Sequence, residues 1–245
     1  MTKKTKIISI LLVVLLAVLV IMANIWRRQS QVRDVRVEID YRGADTLATG
    51  LEVAELVKHE IPTLMSKMLR EVDLKEVEKA AGKSPYLCDC EAGTSIGGSV
   101  VVYAVQRRPI VRVCANGAEY YLDDRGYRVP VSSTGSCDVV VASGNIPTKG
   151  KGLRDVWKMA LFFDQHPEVS PLFDQIYRDA SGDLYVTPKL GSHVVQVGSA
   201  ENLEEKFDNL IALYTRGLPQ AGWETYKQVS VKYRGQVVCT RRNNN

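Results

Sequence analysis

Five cysteines, three histidines and the adjacent carboxylates Asp123-Asp124 are the side chains of this chain to weigh first for chemistry. The sulfurs would serve as metal ligands or reactive thiols, the imidazoles as general bases, and Asp123-Asp124 as an acid and base pair. Their spacing supports none of these roles. Cys88 and Cys90 fall two apart in a strand pattern, which puts both sulfurs on one face, but Cys114, Cys137 and Cys239 supply no second pair at zinc-site spacing. They read as small apolar residues, and an oxidising compartment would allow one or two disulfides whose pairing the spacing leaves open. His59, His166 and His193 lie in separate segments with no serine or cysteine motif beside them, so order alone assembles no nucleophilic triad. Asp123 and Asp124 read as exposed turn-formers, because adjacent residues point apart. Gly97-Gly98 lacks the lysine and the following helix of a phosphate loop. The expectation is a chain with no catalytic residues, no metal and no cofactor.

Composition places the chain among folded globular proteins, with 45% hydrophobic and 24% charged residues. The net charge of +4 is spread over short pairs, which argues against nucleic acid as a partner. The N-terminus stands apart from this average. Lys3, Lys4 and Lys6 precede an apolar run from Ile7 through Leu15 to Trp26, and roughly 20 helical residues cross a ~30 Å hydrocarbon core once. Trp26 suits the interface, and the run exceeds the usual apolar h-region, about 7–15 residues, of a cleaved signal peptide. Arg27 and Arg28 oppose the lysines as orientation signals, so the size of the remainder decides. A large C-terminal part translocates largely regardless of charge, giving a single-pass anchor with a cytoplasmic N-terminus.

The elements that would position a functional surface follow from periodicity and punctuation. Val35, Val37 and Ile39 alternate in a strand over 34–40, and a helical stripe over 51–64 is interrupted at Pro62. Asp73, with Glu76 three residues on, signals a second helix that Gly82 stops. Strands follow over 86–90 and 99–106. The order is strand, helix, helix, strand, strand. Beyond Arg107-Arg108-Pro109, Asn116-Gly117 marks a type I′ hairpin, and Asp123-Asp124-Arg125-Gly126 marks the next turn. A strand over 138–142, a helix over 153–166, strands over 174–178, 183–187 and 193–197, and a helix over 203–215 capped by Asn202 and ended by Gly217 complete the middle. Last comes an alternating strand over 225–233, bent at Arg234-Gly235 into 236–240. A strand at the end of a chain can lie at a sheet edge and present backbone groups for another chain to pair.

With the seam and the last strand in hand, the chain resembles the FtsQ/DivIB family of bacterial cell-division proteins, in the form seen in Bacteroidetes. Val105-Gln106-Arg107-Arg108-Pro109, Tyr120-Tyr121-Leu122-Asp123, Gly126 and Pro130 carry the likeness at the seam. Gly217-Leu218-Pro219, Gly222-Trp223, Tyr226, Lys232-Tyr233 and Gln236-Val237-Val238-Cys239 carry it at the end. The resemblance implies an α+β fold: a cytoplasmic tail (1–6), a single N-terminal transmembrane helix (7–26), a connector (27–34), a POTRA-like βααββ domain (35–107), a mixed β domain with an antiparallel sheet and two packing helices (108–242), and a polar tail (243–245). It implies a non-enzymatic scaffold at the division septum that binds FtsB and FtsL by β-strand addition and, through them, connects to the septal peptidoglycan synthases FtsW and FtsI. The implied contact is Val229, Ser230, Val231, Lys232, Tyr233 and Arg234. By itself Lys232-Tyr233 is as readily a core pair as a contact. Thr240 and Arg241 stand where enterobacterial members carry a tryptophan. Two other classes compete, a membrane-anchored extracytoplasmic hydrolase and a POTRA-type chaperone or transport accessory. The first needs a nucleophile or carboxylate geometry that the spacing does not supply, and the second repeated modules where only one is found.

Overall fold

In the computed structural model the backbone is described for residues 3–28, 31–95 and 97–242, with side chains for 10–22 of the first stretch and for the other two in full. The expected polar tail, the end of the expected cytoplasmic tail and the side chains of Ile7 and Trp26 lie outside the described residues. α1 (Lys3–Arg28) is a continuous helix of 26 residues. Its large apolar side chains from Ile10 to Met22, Leu15 among them, are 46–66% exposed. Among the described residues no helix is long and apolar enough to cross a membrane. The described side chains of α1 cover about 20 Å of rise, against a ~30 Å hydrocarbon core.

Chain contacts divide the molecule between Gln106 and Arg107 into two compact units. The first contains β1 (Asp34–Asp40), α2 (Gly50–Glu60), α3 (Leu74–Ala81), β2 (Leu87–Thr94) and β3 (Ser99–Gln106). The sheet order is β1-β3-β2, with β1 parallel to β3 and β2 antiparallel to it. A parallel pair needs a crossover, which the two helices provide. Thr49 starts α2 with a full capping box to Glu52, whereas at α3 Asp73 accepts from the amides of Lys75 and Glu76. Gly82 ends α3 with φ −65°, so it supplies no left-handed cap. Val57, Val77, Val100 and Val102 are wholly buried between helices and sheet. Gln106 closes this core: its Oε1 accepts from the Leu47 amide at 2.8 Å and its Nε2 donates to the Asp45 carbonyl at 2.9 Å.

The second unit is built on one nine-stranded sheet. Its strands are β4 (Pro109–Ala115), β5 (Ala118–Asp123), β6 (Arg128–Pro130), β7 (Val140–Gly144), β8 (Phe173–Arg178), β9 (Leu184–Pro188), β10 (Val194–Gly198), β11 (Tyr226–Ser230) and β12 (Val238–Arg241). They lie in the order β12-β11-β10-β9-β8-β7-β4-β5-β6. The expected antiparallel sheet is corrected to a mixed one, since β4 with β7, β7 with β8 and β10 with β11 all run parallel. The helices are the cause of two of these pairings. α4 (Lys151–Gln165) returns the chain from β7 to β8, and α5 (Leu203–Ala212) with α6 (Leu218–Ala221) returns it from β10 to β11. The expected helix to Thr215 stops at Ala212, and a π-helical turn over Leu213–Gly217 joins it to α6, where Pro219 occupies the first turn that needs no amide donor. Asn202 sits before α5 with φ 53° and makes no side-chain cap, contrary to expectation.

Turn chemistry holds where the sheet is local. Asn116 and Gly117 have φ of 55° and 74°, as a type I′ turn requires. The second turn differs at both aspartates: Asp124 is half-buried with its Oδ2 3.7 Å from Arg108 Nε, and Asp123 is 1% exposed, its carboxylate accepting from Arg107 Nη1 at 2.9 Å. Asp123 is a buried ion-pair partner as well as a turn-former, because β5 carries it inward beneath the turn. α4 and α5 pack together, with Phe162 and Phe207 ring centroids 4.9 Å apart.

Candidate partner-binding edge

β11 leaves α6 through a bend at Gly222, where φ is 88°. Val195 of β10 faces Val229 on one side and Cys239 of β12 faces it on the other. The chain then turns at Gly235, with φ 68°, and returns as β12. This corrects the expectation that a partner would pair along Val229–Tyr233. Val229 and Ser230 lie on the second strand, already paired on both sides, and the edge belongs to β12. Val229, Val231 and Ser230 are 0%, 1% and 7% exposed, and the Val231 amide donates to the Gln196 carbonyl.

The charged and aromatic residues divide differently. Lys232 Nζ is 2.7 Å from Asp183 Oδ2, and this hydrogen bond raises its pKa above the ordinary lysine value. Its stem crosses Gly198, where an added Cβ would meet Lys232 Cγ at 2.7 Å. Lys232 is thus held against the sheet by an ion pair within the fold. Tyr233 is 56% exposed and Arg234 reaches Glu205 at 3.1 Å from an exposed position. Val238, opening β12, is 48% exposed. Tyr233, Arg234 and Val238 therefore stand outward next to the edge, with Thr240 and Arg241 further along it.

Two buried polar groups hold this end of the sheet, Lys206, which the sequence did not single out, and His193, weighed there only as a general base. Lys206 of α5 donates to the carbonyls of Val197 and Ser199 at 2.9 and 2.8 Å, and burial lowers its pKa. His193, 2% exposed, lies with Nε2 2.8 Å from the Tyr214 hydroxyl, and Tyr214 meets Trp223 edge-on. No spacing in the sequence marks either one, since each partner is more than a few residues away.

Burial lowers the His193 pKa, so the folded chain holds it neutral while the unfolded chain takes up a proton near 6.5. Its contribution is fully present above that value and is lost as pH falls below it. The unfolding temperature of the second unit should drop between pH 7 and pH 5, and His193→Gln should flatten that part of the profile. An unchanged slope in the variant would assign the acid sensitivity elsewhere.

The groups first considered for chemistry are set apart. All five cysteines are free thiols, and burial followed by the nearby Asp89 pushes Cys90 up to about 11. A thiol so shifted stays protonated at neutral pH and is a poor nucleophile. Among the described residues no cluster of histidine, cysteine, aspartate or glutamate could hold a metal ion. His166 caps the end of α4 with Nδ1 2.8 Å from the Phe162 carbonyl oxygen.

The family described as FtsQ/DivIB, C-terminal related matches residues 108–240, which run from the seam through all but the last residue of β12. The chain belongs to this family. No curated protein matches it. FtsQ/DivIB proteins are division-site membrane proteins that act through protein contacts and generally without catalysis, and the resemblance read from the seam and the terminal strands is thereby borne out. The FtsQ/DivIB match covers the large sheet, edge strand included.

Proposed function

We propose that this chain is a single-pass membrane scaffold of the division machinery that accepts an extended segment of FtsB, in complex with FtsL, onto the outer edge of β12, and so connects to FtsW and FtsI. The observation that carries this reading is the exposed terminal edge strand with Tyr233, Arg234 and Val238 turned outward beside it. An edge strand leaves one row of amides and carbonyls without a sheet partner, and strand addition satisfies them while neighbouring side chains select the segment. α1 is read as the anchor, since its 26 residues rise about 39 Å and its described apolar side chains are open. The βααββ unit is read as a POTRA-like recruitment domain.

Successive residues of a strand direct their amides to opposite sides. Cys239→Pro and Thr240→Pro therefore remove one donor toward β11 and one toward the partner. The variant losing the outward donor should retain the parent's unfolding midpoint while FtsB co-purification falls roughly tenfold, about the effect of 1.4 kcal/mol. Tyr233→Ala should weaken FtsB recovery without unfolding. Recovery of FtsB at the parent's level with both proline variants would exclude addition at this edge.

A further inference from the structure

At the other end of the large sheet, β5, β6 and the start of α4 enclose an open pocket of about 430 Å³. Arg125 from the β5–β6 turn, Arg128 from β6, Lys149 before α4 and Arg154 within it line the pocket, and no acidic residue does. Arg125, Lys149 and Arg154 have no ion pair among the described residues, and Arg128 donates to the Thr148 carbonyl while its guanidinium lies 4.2 Å from the Tyr120 ring centroid. The start of α4 adds to this charge. Gly150 precedes a helix of 15 residues with no side-chain cap and no acid in its first turn, leaving the positive end of the helix dipole uncompensated.

The remaining wall is apolar. The half-buried Trp157 donates through Nε1 to the Asp123 carbonyl at 3.0 Å, which fixes the indole, and Gly126 with φ 80° lies close enough that an added Cβ would touch that ring at 3.4 Å. Leu153 lines the pocket with it.

We infer that this pocket docks an acidic peptide segment of a partner protein, with an apolar residue against Trp157 and Leu153 and flanking carboxylates on Arg125, Arg128, Lys149 and Arg154. Guanidinium forks match carboxylates in bidentate geometry, and the apolar wall gives the segment something a bare phosphate cannot use. This surface is separate from β12, so it holds whether or not strand addition does.

The test uses the full chain in non-ionic detergent and a fluorescein-labelled peptide, Glu-Glu-Leu-Glu-Glu, followed by anisotropy. Companion peptides carry lysine for glutamate or serine for leucine, and tripolyphosphate is the competing anion. Expected are binding by the first peptide, none by the lysine version, and a roughly tenfold loss when salt rises to about 0.3 M. The leucine-to-serine change should weaken binding several-fold, about the value of a buried apolar side chain in part. Arg125→Glu with Arg154→Glu should abolish it, and Lys149→Glu alone, at an exposed position, should weaken it. Equal binding by the charge-reversed protein, equal binding by the serine peptide, or displacement by tripolyphosphate at lower concentration than by unlabelled peptide would each overturn the assignment, the last two in favour of a simple anion site.

Discussion

Phe207→Ala should lower the stability of the nine-stranded unit by about 3–5 kcal/mol, the largest loss expected from any single truncation in the chain. Phe207 is 1% exposed, and its ring centroid lies 4.9, 5.4 and 5.5 Å from those of Phe162, Phe163 and Phe173. It touches both phenylalanines of α4 and the phenylalanine that opens β8. Removing it leaves a void that neither the helix nor the strand can fill without moving the other. A domain of this size is stable by only about 5–15 kcal/mol, so the loss is a large fraction of the total. Urea unfolding followed by near-ultraviolet circular dichroism should show a sharply lower midpoint, and Phe207→Leu should recover much of it. A midpoint within about 1 kcal/mol of the parent would mean that α5 collapses onto the sheet far more freely than the packing indicates.

The second large effect is expected at Asp123. Its carboxylate accepts from Arg107 Nη1 at 2.9 Å, from the Arg125 amide at 3.0 Å and from the Tyr127 amide at 2.7 Å. Its carbonyl accepts from Gly126 and from the Trp157 indole. Asp123→Ala removes the side-chain half of this set and leaves Arg107 beside a buried, uncharged position. Breaking such a pair from one side costs about 3–5 kcal/mol. Asp123→Asn should keep part of the turn hydrogen bonding and lose the charge, giving an intermediate value. A double-mutant cycle with Arg107→Met separates the ion pair from the turn, and additive losses would show that the two side chains are not coupled.

Asp123 also shows what the sequence could and could not convey. The β5–β6 turn was legible because aspartate and glycine at its ends are read from local backbone chemistry, as was the Asn116-Gly117 hairpin, while β1 was legible from the alternation of Val35, Val37 and Ile39. That the same aspartate is buried depends on Arg107, sixteen positions away, and on the depth of β5 under α4. The mixed sheet was hidden in a similar way. Periodicity identifies a strand without saying which strand lies next to it, and two of the three parallel pairs arise from crossovers by α4 and α5. At the candidate site Tyr233 and Arg234 are exposed, whereas Val229, Ser230 and Val231 are buried, the two valines as part of the core. The glycine at 235 signalled the turn, but the pairing that makes β12 outermost is a property of the folded sheet. Lys232 was drawn inward by Asp183, a partner that no local pattern links to it.

The two ends of the large sheet are unlike. β6 is three residues long and ends in Pro130, which has no amide to donate, while β12 ends the sheet without a proline. Under the proposed strand addition β12 is the freer edge, because β6 is short and lacks one backbone donor. On that proposal, stacking of copies from β12 onto β6 is disfavoured by the short, proline-ended β6 edge.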